Sequence, residues 1–85
     1  MEFEEALTEL KAGKKVRNTK WNGKGMFLYA VPANEYPAQT DVARKEFGDM
    51  VGYGPYIAMK NAQGIVIPWL ASQMDFFSDG WEVVE

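Results

Sequence analysis

The stretch GMFLYAV, from Gly25 to Val31, predicts the central strand of this chain. It is apolar throughout, and a short continuous apolar run between turn residues is typical of a buried strand. The pair Asn22-Gly23 just before it is a strong turn signal, and Pro32 follows it. The segments on either side must therefore provide the strands that flank this one and a helix that covers it.

A helix that packs on the sheet is predicted over residues 2–12. Its apolar positions follow the i, i+3, i+4, i+7 spacing of one helical face: Phe3, Ala6, Leu7 and Leu10. Glutamates occupy its first turn and Lys11 its last, which suits the helix dipole. Gly13 follows as a C-cap.

The rest of the chain predicts four further strands and two short helices. The strands cover Lys14–Asn18, Pro55–Lys60, Ile65–Trp69 and Trp81–Val84, and the helices cover Thr40–Phe47 and Gln73–Phe77. Loops are predicted over Pro32–Gln39 and over the glycine-rich segment after Phe47. This order predicts one α+β domain, residues 1–85, with a mostly antiparallel sheet of about five strands.

Composition excludes several kinds of chemistry. The chain has 85 residues, no cysteine and no histidine, which removes disulfides, thiolates and the usual general base and metal ligand. Ser72 and Ser78 have no histidine to activate them. Asp75 and Asp79 have the spacing of a carboxylate pair on a helix, but two exposed acids at that spacing are usually a solvated face. The sequence therefore predicts a binding protein without cofactor or metal and not an enzyme.

Location and assembly are also predicted from composition. The acidic N-terminus is not a signal peptide, no apolar run approaches the roughly 20 residues of a membrane span, and the absence of cysteine fits the cytosol. The 12 aromatic rings are many for so small a domain. Because such a domain has little interior to hide them, we expect a homo-oligomer.

Positive charge is concentrated in one segment. Residues 11–24 hold six of the nine basic residues and no acid, although the chain as a whole carries a net charge of -3. This segment combines an aromatic plate, an amide, a flexible turn and a cation, in the order Trp21, Asn22, Gly23 and Lys24. Such a set suits a ligand that has a base ring and phosphates. The alternatives are a solvated edge strand and a Trp21 that anchors a subunit contact.

A second candidate segment runs from Pro68 to Asp75. Trp69 offers a stacking face, Ser72 and Gln73 offer hydrogen bonds, and Asp75 can accept bonds from ribose hydroxyls or a base amino group. The free N–H groups at the start of a helix attract anions. The alternative assigns Ser72 to a helix cap, Trp69 to the core and Asp75 to the first helical turn.

Both segments carry a family resemblance that extends over nearly the whole chain. The chain resembles the second class of Thoeris anti-defence proteins, small domains of phages and prophages, at Glu4–Leu7, Gly13–Val16, Trp21–Met26, Pro55–Lys60, Pro68–Gln73 with Asp75, and Trp81–Val83. Met74 and the pair Phe76-Phe77 depart from what that resemblance leads us to expect, a small polar residue and less bulky side chains.

The resemblance implies a phage-encoded sponge in the host cytoplasm. Such a protein binds the cyclic ADP-ribose isomer that a Thoeris TIR enzyme makes as an alarm signal, does not cleave it, and assembles as a homo-oligomer, with tetramers expected and pockets shared between subunits. Trp21 or Trp69 would stack on adenine and Lys24 would face the diphosphate. The implied ligand-binding residues are Trp21, Asn22, Gly23, Lys24, Met26, Trp69, Ser72, Gln73 and Asp75.

Three other functions remain open at this point. The same basic face would suit nucleic acid or a cyclic oligonucleotide, although a pI near 4.9 argues against polymeric DNA. A purely structural oligomeric interaction domain would use its aromatic residues as interface. A weak hydrolase would turn its ligand over.

Overall fold

The computed structural model describes all residues, 1–85, as three helices and seven strands. The helices are α1 (Phe3–Lys11), α2 (Asp41–Phe47) and α3 (Gln73–Phe77). The strands are β1 (Lys15–Asn18), β2 (Phe27–Val31), β3 (Asn34–Pro37), β4 (Met50–Tyr53), β5 (Tyr56–Lys60), β6 (Val66–Pro68) and β7 (Trp81–Val84). No helix combines the length and apolar character that a bilayer crossing requires.

Five of the strands form one antiparallel sheet with the order β6-β5-β2-β1-β7. Strand β2 lies in the middle, which confirms the prediction for the apolar stretch, although β2 begins at Phe27. Leu28 of β2 pairs with Val16 of β1 and Met59 of β5. The predicted α+β class with a mostly antiparallel sheet of about five strands is confirmed.

Helix α1 covers one face of this sheet and closes a small core. Ala6 and Leu10 of the helix meet Val16, Leu28 and Trp81 of three strands, and all five are at most 2% exposed. Alternation along β1 puts Asn18 on the same face as Val16, so Asn18 is buried beside the end of this core. The core thus ends next to the turn that carries Trp21.

Aromatic rings extend the core beyond α1. The ring of Phe3 lies 5.7 Å from Trp69, 5.3 Å from Phe76 and 5.4 Å from Trp81, measured between centroids. Tilted and edge-on pairs of this kind add stabilisation beyond the area that they bury. This ring cluster holds α3 and the end of β6 against α1.

The two predicted loops were wrong. Strands β3 and β4 pair as a separate two-stranded antiparallel sheet, with Tyr36 opposite Val51, and α2 lies between them in the chain. The segment NEYP of β3 is exposed throughout and contains a proline, and β4 contains Gly52. Neither strand shows the apolar alternation that predicts a strand, and Val51 is the only buried residue of the two. We call residues 34–53 the arm.

The two short helices begin as predicted. The Thr40 hydroxyl accepts a hydrogen bond from the Ala43 amide at 3.1 Å and caps α2. The Ser72 hydroxyl accepts one from the Asp75 amide at 3.0 Å and caps α3. Each cap satisfies a backbone donor that would otherwise have no partner in the first turn.

Replacing Leu10 by alanine tests the core. Leu10 is 1% exposed, so Leu10→Ala should lower the free energy of unfolding by about 2–5 kcal/mol, because it leaves a cavity between α1 and the sheet. Chemical denaturation measures this, with Thr8→Ala on the exposed face of the same helix as control, expected to change stability by less than about 0.5 kcal/mol. A loss below about 1 kcal/mol for Leu10→Ala would contradict the assignment.

Candidate ligand-binding site

Two grooves meet at Trp21. The larger has a volume of about 400 Å³ and is lined by Asn18, Lys20, Trp21, Met74, Asp75, Phe77 and Ser78. The smaller has a volume of about 210 Å³ and is lined by Arg17, Asn18, Thr19, Trp21, Gly23, Gly25 and Met26. The grooves share Asn18 and Trp21, so the Trp21 indole forms a wall of each.

Trp21 is held in this position by its backbone and by its ring. Its amide donates to the Asn18 carbonyl at 3.1 Å, which closes the turn after β1. Its ring packs edge-on against Trp81, with 5.4 Å between centroids, and its Nε1 donates to Asp75 Oδ1 at 3.1 Å. A half-buried ring held at three points keeps a fixed orientation toward both grooves.

Asp75 joins the two segments that the sequence singled out. Its Oδ1 accepts from the Trp21 indole, and its Oδ2 accepts from the Ser72 amide at 2.9 Å. Its main-chain oxygen accepts from Trp81 Nε1 at 2.9 Å. The first turn of α3 is therefore bonded directly to the turn after β1, and these two segments form one surface.

Opposite charges compensate half of the basic segment. Three of its six basic side chains form ion pairs: Lys14 with Glu9, Arg17 with Glu82, and Lys20 with Asp79. The positive field is thus weaker than the sequence of residues 11–24 indicates. The side chains of these pairs are 32% to 75% exposed, and the most exposed pair, Lys20 with Asp79, is screened by solvent and contributes little to stability.

Lys20 is the cation that lines the larger groove. Its Nζ lies 3.2 Å from Asp79 Oδ1. The hydrogen bond from Lys20, together with its charge, holds the pKa of the Asp79 carboxyl below its ordinary value. Similarly, the hydrogen bond and charge of Glu9 raise the pKa of Lys14 above its ordinary value. Because Lys20 and Asp79 are exposed, a ligand anion can compete with Asp79 for the Lys20 ammonium.

The predicted site residues fall into three groups. Four line a groove: Trp21, Gly23, Met26 and Asp75. Four are exposed and line neither groove: Asn22, Lys24, Ser72 and Gln73. Trp69 is half-buried against the rings of Phe3 and Trp81, at centroid distances of 5.7 and 5.9 Å, so its packing is that of the core alternative.

Several groove residues were missed by the sequence interpretation. They are Arg17, Asn18, Thr19, Lys20, Gly25, Met74, Phe77 and Ser78. Lys20 belonged to the recognised basic segment, and alternation along β1 would have placed Asn18 on the covered face. Met74 and Phe77 are bulkier than the family resemblance leads us to expect, and this difference could have drawn attention to them. Their side chains are 83% and 82% exposed at the rim of the larger groove.

The larger groove combines an apolar surface with few polar groups. Trp21, Met74 and Phe77 give the larger groove an apolar surface, and the Lys20 ammonium lies beside it. Both oxygens of the Asp75 carboxylate already accept N–H groups of the protein. No cluster of His, Cys, Asp or Glu side chains has the geometry of a metal site.

Comparison with known proteins assigns these features to a family. The profile of the Thoeris anti-defense 2-like domain matches residues 1–84. The chain is 32% identical over 84 residues to Thoeris anti-defense 2 of Bacillus phage SP01, an alignment that covers 99% of this chain and 94% of that protein. The aligned residues therefore include those that line both grooves and those of the arm.

The pairing of Lys20 with Asp79 gives a prediction about pH. In Lys20→Met the pKa of Asp79 should rise toward its ordinary value, because the donor and the charge are both lost. The small stabilisation from this pair should be present above the ordinary pKa of an aspartate and be lost as pH falls through the lowered pKa of the folded state. An NMR titration of the Asp79 carboxyl measures the shift, with Lys24→Met as control; an unchanged pKa in Lys20→Met would contradict the pairing.

Gly23 gives a prediction about the smaller groove. A Cβ at this position would lie 2.3 Å from Met26 Sδ and 3.1 Å from Ala62 Cβ, so Gly23→Ala should displace the Met26 side chain. The methyl resonance of Met26 in NMR spectra should shift. Gly52→Ala is the matched control, because a Cβ there has no neighbour within 4 Å. A Met26 resonance that stays unchanged in Gly23→Ala would contradict this close packing.

Proposed function

The chain belongs to the Thoeris anti-defense 2-like family, and from this membership we propose that it binds and sequesters a cyclic ADP-ribose isomer without cleaving it. The isomer is the signal made by a Thoeris TIR enzyme. Removing the free signal would keep the defence effector inactive. Because the signal is made inside the infected cell, the proposed place of action is the host cytoplasm.

The observation that carries this proposal is the larger groove. Small-molecule sites in proteins typically have volumes of about 300–1,000 Å³ and combine apolar walls with a few polar groups. This groove, at about 400 Å³, combines the Trp21, Met74 and Phe77 side chains with Lys20 and Asn18. A cyclic ADP-ribose has an adenine ring for the aromatic walls and a diphosphate for the cation.

The position of Trp21 between two grooves suits a ligand with two unlike parts. An adenine stacked on Trp21 in the larger groove leaves the riboses and diphosphate near Lys20 and the opening of the smaller groove. There Arg17 lies at the wall, with its Nε 2.6 Å from Glu82 Oε1. Both cations are exposed and their pairs with Glu82 and Asp79 contribute little to stability, so a diphosphate can replace either carboxylate at small cost.

The side chains at the groove support binding without turnover. Hydrolysis at a glycosidic or phosphate bond needs a positioned base or nucleophile. Asp75, the carboxylate that lines this groove, is occupied by Trp21 and Ser72. The Ser78 hydroxyl donates to Asn18 Oδ1 at 3.3 Å and has no base beside it.

The exposed rim supports a homo-oligomer in which a second copy completes the pocket. Met74 and Phe77 are 83% and 82% exposed, and Leu70, four residues before Met74, is 91% exposed. A groove that closes around a ligand would bury these side chains. The tetramer implied by the family resemblance would supply the missing wall from a neighbouring subunit.

A cyclic oligonucleotide is the second candidate ligand, and a specific observation favours it. Phe27 lies on the sheet face opposite α1, with Lys15 Nζ 4.9 Å and Lys60 Nζ 5.4 Å from its ring centroid. Tyr29 and Val66 extend this surface to a shallow groove of about 410 Å³. An aromatic ring between two ammonium groups suits stacked bases joined by phosphates.

Isothermal titration calorimetry with glyco-cyclic ADP-ribose tests the proposal, using wild type, Phe77→Ser and Ile65→Ser. Wild type should bind, and Phe77→Ser should bind at least tenfold more weakly, because Phe77 lines the larger groove. Ile65 is 59% exposed at the β5–β6 turn and lines neither groove, so Ile65→Ser should bind like wild type. The bound ligand should be recovered intact after the complex is denatured.

Four results would overturn parts of this proposal. No heat with micromolar wild-type protein would reject it, as would unchanged affinity when Trp21 is replaced by alanine. Recovery of a cleaved ligand would identify a hydrolase. Binding of a cyclic oligonucleotide in place of glyco-cyclic ADP-ribose, with an affinity that falls steeply as salt rises, would identify the second candidate.

A ligand at 100 times its dissociation constant should also stabilise the fold by about 2.7 kcal/mol in a thermal shift assay.

A further inference from the structure

Asn18 is a buried polar side chain that lies where the two grooves meet. It is only 4% exposed, yet it lines both the larger and the smaller groove. A buried side-chain amide needs partners for its oxygen and for its two N–H groups, because burial removes the hydrogen bonds that water would provide. The partners that Asn18 has in the protein therefore show which of its groups is left for a ligand.

The oxygen of the Asn18 amide is fully occupied by the protein. Oδ1 accepts from the Lys20 backbone amide at 3.0 Å and from the Ser78 hydroxyl at 3.3 Å, which uses both of its lone pairs. A backbone N–H can only donate, so the first bond fixes which end of the side chain is the oxygen. The Ser78 hydroxyl in turn accepts from the Gly80 amide at 3.0 Å. This chain of bonds holds the Asn18 amide in one orientation.

The nitrogen of the same amide has no partner in the protein. The two bonds of Oδ1 are the only hydrogen bonds of the Asn18 side chain. Nδ2 nevertheless remains accessible to solvent. The surface that Asn18 lines is that of the two grooves, so Nδ2 faces the space within them. Asn18 thus presents two N–H donors and no free acceptor to a molecule that enters.

The depth of Asn18 selects the part of a ligand that it meets. The Lys20 side chain at the same groove is 64% exposed, so its ammonium lies at the rim, where charged phosphates keep much of their hydration. Charge-assisted hydrogen bonds are roughly twice as strong as neutral ones, so phosphate oxygens favour Lys20 over a neutral amide. Asn18 lies deeper, beside Trp21, where the edge of a stacked base would reach. Its donors are therefore left for a neutral acceptor on that edge.

We propose that Asn18 determines base specificity in this site, because its Nδ2 donates to an unsubstituted ring nitrogen of the base stacked on Trp21. The inference rests on the proposed function, since it assigns a role within the same groove. An asparagine that recognises adenine with both ends of its amide uses oxygen and nitrogen together. Asn18 has only its nitrogen free, so it selects an acceptor. A base without that acceptor leaves Nδ2 unpaired once the ligand has displaced water, which weakens binding.

The variant Asn18→Asp removes the donor and keeps the acceptor. A carboxylate has the same shape, and its Oδ1 can still accept from the Lys20 amide and the Ser78 hydroxyl, while an oxygen replaces Nδ2. Isothermal titration calorimetry with glyco-cyclic ADP-ribose should show binding weaker by about tenfold or more. Asn61→Asp is the matched control, because Asn61 Oδ1 also accepts from the amide two residues on, that of Gln63, at 3.0 Å. Asn61 lines neither groove, so this variant should bind like wild type.

Analogues of the ligand separate loss of the donor from the added charge. In each analogue one ring nitrogen of the adenine (N1, N3 or N7) is replaced by C–H, and the diphosphate is kept. Wild type should bind one of these analogues more weakly than the parent ligand, by about tenfold or more. Asn18→Asp should not discriminate against that analogue, since the two changes remove the same bond. Equal affinity of wild type for all of these ligands would overturn the inference.

NMR spectra of wild type observe the Asn18 side-chain amide without any substitution. AMP and ribose 5-phosphate serve as probes at millimolar concentration, because both carry a phosphate and only AMP carries the base. The Nδ2 protons of Asn18 should shift downfield with AMP and stay in place with ribose 5-phosphate, while those of Asn61 should change with neither. This measurement decides the matter if Asn18→Asp does not fold. Equal shifts with the two probes, or no shift with AMP, would overturn the inference.

The same experiments distinguish failure of this inference from failure of the proposed function. A wild type that gives no heat with glyco-cyclic ADP-ribose, but whose Asn18 amide shifts with AMP alone, overturns the proposed function and supports the base contact. A wild type that binds glyco-cyclic ADP-ribose with an affinity unchanged in a folded Asn18→Asp variant overturns the base contact and supports the proposed function.

Discussion

The carboxyl group of Asp75 is the constraint on which the candidate site depends. It accepts the Trp21 indole and the Ser72 amide, and the main chain of the same residue accepts the Trp81 indole. A turn after the first strand, a helix near the end of the chain and the largest core ring are thereby held together. Hydrogen bonds to a carboxylate are among the stronger ones in proteins, so Asp75 fixes the position of the Trp21 turn relative to α3.

The small core explains why the same aromatic side chains both stabilise the fold and line the candidate site. Only nine of 85 residues are buried, and Trp81 is the largest of them. A chain of this length buries about 60% of its unfolded surface, so it has few positions for rings that serve packing alone. Trp69 lies within the cluster and Trp21 at its edge, where one part of the ring packs on Trp81 and the rest faces the grooves. Ligand affinity and core stability are therefore linked at Trp21.

Elements with an apolar period, an apolar run or a capping residue were predictable from the sequence, whereas strands β3 and β4 were not. The spacing of apolar residues in α1 and the apolar run of β2 predicted both elements and the sheet around them. A buried face requires apolar residues at regular positions, and those positions can be read from the sequence. The exposed strands β3 and β4 left no such period, and the sequence predicted loops there. The site was predicted in part: Trp21 and Asp75 were found by their residue types, whereas Thr19 and Ser78 carry no local signal and line the grooves because of how the chain folds.

The sequence by itself determined the class of fold, the place of the central strand, the two chain segments of the candidate site and the absence of histidine and cysteine chemistry. These follow from local spacing and residue type, which act over a few neighbouring positions. Only the tertiary structure decided that Lys20 faces the larger groove while Trp69 packs in the core, and that ion pairs compensate half of the basic segment. Such partners are up to 66 residues apart in the chain, as Phe3 and Trp69 are, so only folding brings them into contact.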